Sequence, residues 1–253
     1  MVKRLTTDQI REIVELSKAG TPISKISEGS KIGKATVYYH TRAYCRKMSK
    51  IDLNLLEDSE KGYLIGSFLG DGSFNRGRKT PRYIVRFALD AKRDQDVASK
   101  LIRIFQKAKK RASVFPRENT LIVKVCSKEL VEYIQTSVYY RASDNKKEKK
   151  FRLDKGWSSA FQYGILAGII DSDGHVHEHL GTEIKTVSPS LFGAILNLLG
   201  NLGMTVITKK RKATDNAYSQ KISYVLYIPS FQMRKHRSRI PSAKLARLRQ
   251  QIL

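Results

Sequence analysis

The chain has 253 residues, enough for one large domain or two modest ones plus a small appendage, and its 48 Lys and Arg oppose 23 Asp and Glu for a formal charge of +25. That charge exceeds what solubility needs and predicts a polyanionic partner, nucleic acid first; a ribosomal protein, a membrane-surface binder or merely solvated charge are the alternatives. No apolar run approaches the roughly 18 residues of a membrane span, "MVKRLTTDQIREIVELSKAG" has no signal core, and Cys45 and Cys126 are too few for a zinc motif or disulfide framework. A soluble, intracellular protein of the cytoplasm, nucleoid or an organelle matrix is expected.

In chain order, Ile10, Ile13, Val14 and Leu16 recur at helical spacing, Ala19 and Gly20 stop that helix, and Pro22 opens another. Helices are expected near 22–29 and 34–44, with Ile23, Ile26, Ile32 and Val37 facing inward. This stretch resembles the helix-turn-helix of recombinase-type and regulator DNA-binding domains. Ser27 stands where that motif usually has alanine, and Lys31 where its turn usually has glycine. DNA contacts are then expected from Lys34, Thr36, Tyr39, His40 and Arg42 on or beside the third helix. The unit spans 1–50.

Two larger units follow, at 51–140 and 158–253, separated by a basic linker at 141–157 that holds Lys146, Lys147, Lys149 and Lys150. Each repeats the same order: helix, two strands, helix, two strands and a further helix. Strands are expected at "SFNRG", "RYIVRFALD", "ASVFP" and "TLIVKVCS" in the first, and at "HVHEH", "TEIKTVS", "MTVITKKRK" and "KISYVLYIP" in the second.

Both units open on one phrase, "YLIGSFLGDGSF" at 63–74 and "YGILAGIIDSDGHV" at 163–176. Aligned on their last aspartates, Gly62, Gly66 and Gly70 match Gly164, Gly168 and Ser172. Small residues at i, i+4 and i+8 leave a groove along one helix face, so the two helices are expected to pack unusually closely and form the domain interface. Asp71 and Asp173 would then meet at the C-terminal ends. A carboxylate there is disfavoured by roughly 0.3–1 kcal/mol, and two close carboxylates repel further. Divalent cations between them resolve the conflict, since Mg2+ takes a few carboxylates together with water and phosphate oxygens, and two metals can drive phosphodiester hydrolysis. The plain alternative is that each aspartate merely ends a helix, with Gly72 and Gly174 as left-handed caps.

"LAGIIDSDG" at 166–174 closely resembles the signature of the LAGLIDADG homing endonucleases, and "LIGSFLGDG" at 64–72 is a looser copy in which Leu69 replaces the earlier acid filled by Asp171. The resemblance covers roughly 55–235. It implies an α+β monomer of two pseudo-two-fold related αββαββα halves whose saddle-shaped antiparallel sheets straddle double-stranded DNA, beside the small all-α helix-turn-helix. It implies Mg2+ (Mn2+ or Ca2+ as substitutes) bound by Asp71 and Asp173, with backbone contact at Gly70 and Ser172. It further implies cutting of both strands of a long, imperfectly palindromic site with short 3′ overhangs. The basic residues that position water and neutralise charge in such enzymes match Lys128 by order in the first half and Lys185 in the second.

In "RYIVRFALD", Arg82, Ile84 and Arg86 share one face while Tyr83, Val85, Phe87 and Leu89 share the other. Arg82, Arg86, Lys124, Lys209 and Arg211 are therefore expected on the DNA side. His175, His177 and His179 would share one strand face, a spacing that could chelate zinc; polar DNA contacts, from His175 and His177 above all, are expected first, an uninvolved exposed face next and zinc last. A non-cleaving DNA-binding regulator or RNA maturase on the same fold, and a basic ribosomal or nucleoid protein, are the competing functions. The initial Met and the ending "ARLRQQIL" lack splice-junction residues, so a free-standing, intron-encoded enzyme is expected rather than an intein.

Overall fold

A capping box starts the first helix, α1 (Thr7–Lys18): the Thr6 hydroxyl accepts from Gln9 N–H, and the Gln9 side chain accepts from Thr6 N–H. The structure, a computed structural model, describes residues 5–44, 50–75, 83–143, 146–154, 156–211 and 222–250. These form two units, 1–49 and 50–253. In the first, α1 is followed by α2 (Ile23–Ser30) and α3 (Lys34–Thr41) around a small core of Ile13, Ile26, Ile32 and Val37. Lys31 adopts the left-handed conformation, φ 55°, that the turn demands, and the Ser27 hydroxyl donates to the Ile32 carbonyl at 2.6 Å. Both departures from the usual motif are thus accommodated: the lysine tolerates the strained φ, and the serine makes a bond that alanine could not.

The larger unit is built twice. The first half runs α4 (Asp58–Gly70), β1 (Gly72–Asn75), β2 (Ile84–Asp90), α5 (Gln95–Lys107), β3 (Ser113–Arg117), β4 (Thr120–Cys126) and α6 (Lys128–Ser137). A hairpin, β5 (Val138–Ser143) and β6 (Lys146–Phe151), occupies the stretch expected as a linker, because Val138 and Phe151 bury into the core and Phe151 stacks on Trp157. The second half runs α7 (Ser159–Asp173), β7 (Gly174–Val176), β8 (Thr182–Thr186), α8 (Pro189–Asn201), β9 (Ile207–Arg211), β10 (Ser223–Ile228) and α9 (Ser230–His236). A further helix, α10 (Ala243–Gln250), follows.

Each half carries a four-stranded antiparallel sheet, ordered β1-β2-β4-β3 and β7-β8-β10-β9. Strand alternation turns Val85, Phe87, Leu89, Val123 and Val125 inward in the first sheet and Ile184, Leu226 and Ile228 in the second, so one face packs and the other is left for a partner. One apolar core spans both halves.

That core is threaded by α4 and α7, which are buried on all sides from Gly62 to Leu69 and from Phe161 to Asp171. A helix apolar all round belongs in an interior. Their contact is backbone against backbone: a Cβ on Gly62 would overlap the Phe161 carbonyl, one on Gly66 the Ile165 carbonyl, one on Gly164 the Ser59 carbonyl, and one on Gly168 the Ser67 amide and Tyr63 carbonyl. Gly72 and Gly174 are not left-handed caps. Gly174 has φ −86°, and both start strands so close to the preceding turn that a Cβ would strike Phe68 or Ile170.

Gly168→Val is expected to destabilise by more than about 3 kcal/mol, since the atoms its Cβ would meet, on Ser67, Tyr63 and Gly66, are backbone and cannot yield. Gly193→Ala, on α8 with open space around its Cβ, is expected to stabilise by about 0.5–1 kcal/mol. Urea midpoints of the two variants check this; equal shifts would contradict the close-packing account.

Candidate active site

Asp71 is the C-cap of α4 and Asp173 the last residue of α7, so close packing of the helices brings both carboxylates to one end. Gly70 marks the approach: a Cβ there would overlap Ser172 and stand 3.1 Å from the Asp173 carboxyl carbon. The Asp71 carboxyl is pushed up to about 7, by burial first and then by repulsion from Asp173 and Asp94, against the pull of Lys244 and Lys149. Burial also pushes Asp173 up, opposed by Lys149 and Lys244. Asp173 keeps an exposed surface, so it is desolvated by neighbours on one side and open on the other.

The cations acting on this pair come from outside the sheets. Lys149, on β6, donates to the carbonyls of Phe68, Leu69 and Gly70 at 3.0, 3.1 and 2.8 Å, in the last turn of α4. Lys244, at the start of α10, donates to the Gly174 carbonyl at 3.2 Å and lies 3.7 Å from Asp94. Lys128 is instead an exposed residue at the start of α6, 3.5 Å from Glu132, and Lys185 is exposed on β8. Neither is among the charges that dominate the shifts at Asp71 and Asp173.

Asp171 has a different task. Wholly buried, it accepts from the Tyr63 hydroxyl at 2.8 Å, the Ser242 hydroxyl at 2.5 Å, and the amides of Ala243 and Lys244 at 2.7 and 3.0 Å. It therefore caps α10, where a carboxylate is favoured. Leu69, its counterpart in the first motif, is buried among apolar residues instead.

The site's free donors are hard oxygens, the two motif carboxylates. They suit Mg2+, Mn2+ or Ca2+ drawing its other ligands from water and phosphate. Among the described residues no group of three or more His, Cys, Asp or Glu is placed to hold a metal ion. The strand expected over "HVHEH" ends at Val176; His177 and His179 lie in a turn closed by His177 N–H to the Gly181 carbonyl, although the rings of His175 and His177 still meet at 4.6 Å.

On the outward sheet faces the register lines up Ser73, Arg86, Lys124 and Ser113 in one half. In the other it lines up Lys185, Val225 and Lys209, with Arg211 beside them, 3.7 Å from Glu183. Arg86 Nε is buried without a hydrogen-bond partner among the described residues. Arg82 lies outside the described residues. In the small unit Lys34, Thr36, Tyr39 and Arg42 are exposed on or next to α3, His40 is half-buried, and the Arg42 guanidinium stands 5.2 Å over the Tyr39 ring.

This arrangement has the fold expected for a two-motif LAGLIDADG chain. Residues 162–246 match the homing endonuclease family. The fold is that of I-DmoI in complex with DNA and Ca, with 17% identity, TM-score 0.53, and 74% of this chain and 92% of that one covered. I-DmoI in complex with DNA and Mn aligns with 16% identity and TM-score 0.51, covering 72% and 96%. I-WcaI bound to its DNA recognition sequence aligns with 14% identity and TM-score 0.50, covering 73% and 81%. No curated protein matches the chain. No helix among the described residues is long and apolar enough to cross a membrane.

Because the fold disfavours ionised Asp71, the metal-free protein has the benefit of its neutral form below the ordinary value of 3.8 and loses it as pH rises toward 7. Asp71→Asn is therefore expected to raise the metal-free Tm by several degrees at about pH 8 and to leave it nearly unchanged at about pH 4. A lower Tm at the higher pH would contradict the assignment.

Proposed function

We propose that the chain is a site-specific double-strand DNA endonuclease that hydrolyses phosphodiesters with Mg2+ at a long, imperfectly palindromic site and leaves short 3′ overhangs. The observation that carries this reading is the meeting of Asp71 and Asp173 at the ends of two close-packed helices, between two sheets with basic outward faces. The similar I-DmoI complexes hold DNA with Ca or Mn, which supports divalent-cation use here. Both motif helices are in one chain, so a monomer suffices.

Asp71 and Asp173 hold the cation, with the Gly70 and Ser172 backbone beside them. When bound, it supplies positive charge to the phosphate and acidity to a coordinated water. Water adds to phosphorus and gives up one proton to solvent, the bond to the leaving oxygen breaks, and that oxygen takes a proton from solvent. Arg86, Lys124, Lys209 and Arg211 grip backbone and bases, and His175 and His177 add polar contacts. The helix-turn-helix lengthens the footprint through Lys34, Thr36, Tyr39, His40 and Arg42.

Purified protein incubated with randomised duplexes, in Mg2+ or EDTA, is expected to cut one long site only with metal, and the cut ends then report the target. Asp71→Asn and Asp173→Asn are expected to bind that site and not cut it. Tight, selective binding without cutting by the native protein would favour a non-cleaving regulator or RNA maturase. In the small unit, Lys34→Ala with Arg42→Ala is expected to weaken binding and reduce the log–log salt slope by about 2. An unchanged slope would remove these two residues from the interface.

A further inference from the structure

Lys149 and Lys244 both neutralise the motif aspartates, yet their ammonium groups are held in opposite ways. All three Lys149 protons are engaged by the end of α4, at 3.0, 3.1 and 2.8 Å, and its side chain lies against the Phe68 ring. A lysine so occupied is a fixed counter-charge that caps a helix; it has no proton left for a substrate. Lys244 makes one long hydrogen bond, 3.2 Å to the Gly174 carbonyl, and a loose ion pair, 3.7 Å to Asp94. Lys244 also lines a cavity of about 690 Å³ together with Asp94, Arg93, Gly174, His175 and Arg247, and its ammonium group has hydrogen-bonding capacity beyond these two contacts. That cavity begins one residue beyond Asp173 and joins the first half to the second.

The helix that carries Lys244 is anchored from both halves. Asp171 receives the amides of Ala243 and Lys244, Ser242 receives the amide of Leu245 at 3.1 Å, and Arg247 makes a two-pronged pair with Asp96 of α5 at 2.8 and 3.0 Å. The Lys244 backbone is thereby held to both motif machinery and α5, while its side chain stays free to meet an anion.

Building on the endonuclease reading, we propose that Lys244 contacts the reacting DNA phosphate, which makes the C-terminal helix α10 part of the reaction centre. The charge comes from neither sheet. In this arrangement Asp171 acts at a distance: it seats α10, and α10 delivers the ammonium group beside the carboxylate that ends the same motif helix.

The test uses the full chain and a duplex selected for binding from a randomised pool. In Ca2+, the side-chain ammonium signal of Lys244 in a 15N-lysine spectrum, assigned by its loss in Lys244→Met, is expected to shift when the duplex is added. In Mg2+, Lys244→Met is expected to keep its duplex Kd within about threefold and to lose roughly a hundredfold or more in single-turnover cutting. Lys244→Arg should recover part of that loss, which a purely structural role for the stem would not give. The loss should fall unequally on the two strands, leaving nicked duplex, whereas a merely loosened α10 would slow both alike. An unmoved Lys244 signal, or Lys244→Met cutting within about threefold of the native protein while Asp173→Asn is inert, overturns this proposal and leaves the endonuclease reading standing. Failure of the native protein to cut overturns that reading, and this proposal with it.

Discussion

Backbone contact between α4 and α7 decides the geometry of everything around it. Five glycines along the crossing have no room for a Cβ, so the helix axes approach more closely than ordinary side chains permit. The same contact joins the two halves into one core and carries both chain directions to a common end. If the helices stood farther apart, Asp71 and Asp173 would be two unrelated helix caps. Because they do not, a small-residue pattern along a buried helix has a chemical result many residues from most of its contacts.

The price of that geometry is electrostatic. Two carboxylates meet where two helix dipoles are already negative, and Asp94 adds a third negative charge nearby. The fold answers with Lys149 set into the oxygens of one helix end and Lys244 beside the other. The negative charge that remains favours a divalent cation, and a cation there would in turn favour a phosphate. The basic outward sheet faces suit a polyanion, as the proposed function requires.

Much of this was legible from the chain alone because its signals are local and repeated. Helical spacing in the phrase around Gly62–Asp71 and Gly164–Asp173, and alternation in "RYIVRFALD", expose the buried faces directly. The shape of the "HVHEH" stretch was not legible: the turn closed at Gly181 interrupts an alternation that reads as a longer strand. Nor were the lysines. Lys149 and Lys244 sit in surroundings that look like ordinary basic sequence, and they reach the aspartates only through a hairpin and a C-terminal helix that tertiary packing folds back. Asp171 illustrates the same limit, since its residue type suggests a ligand while its four donors make it the cap of a helix distant in sequence.

If close helix packing makes Asp71 and Asp173 one cation site, both carboxylates bind the same ion. Crystals of the protein with a bound duplex and Mn2+, measured for anomalous scattering at the manganese edge, test it most directly. Manganese is expected between the helix ends, with carboxylate oxygens of both aspartates at about 2.0–2.4 Å. Manganese bound elsewhere, with both carboxylates free of metal, would contradict it.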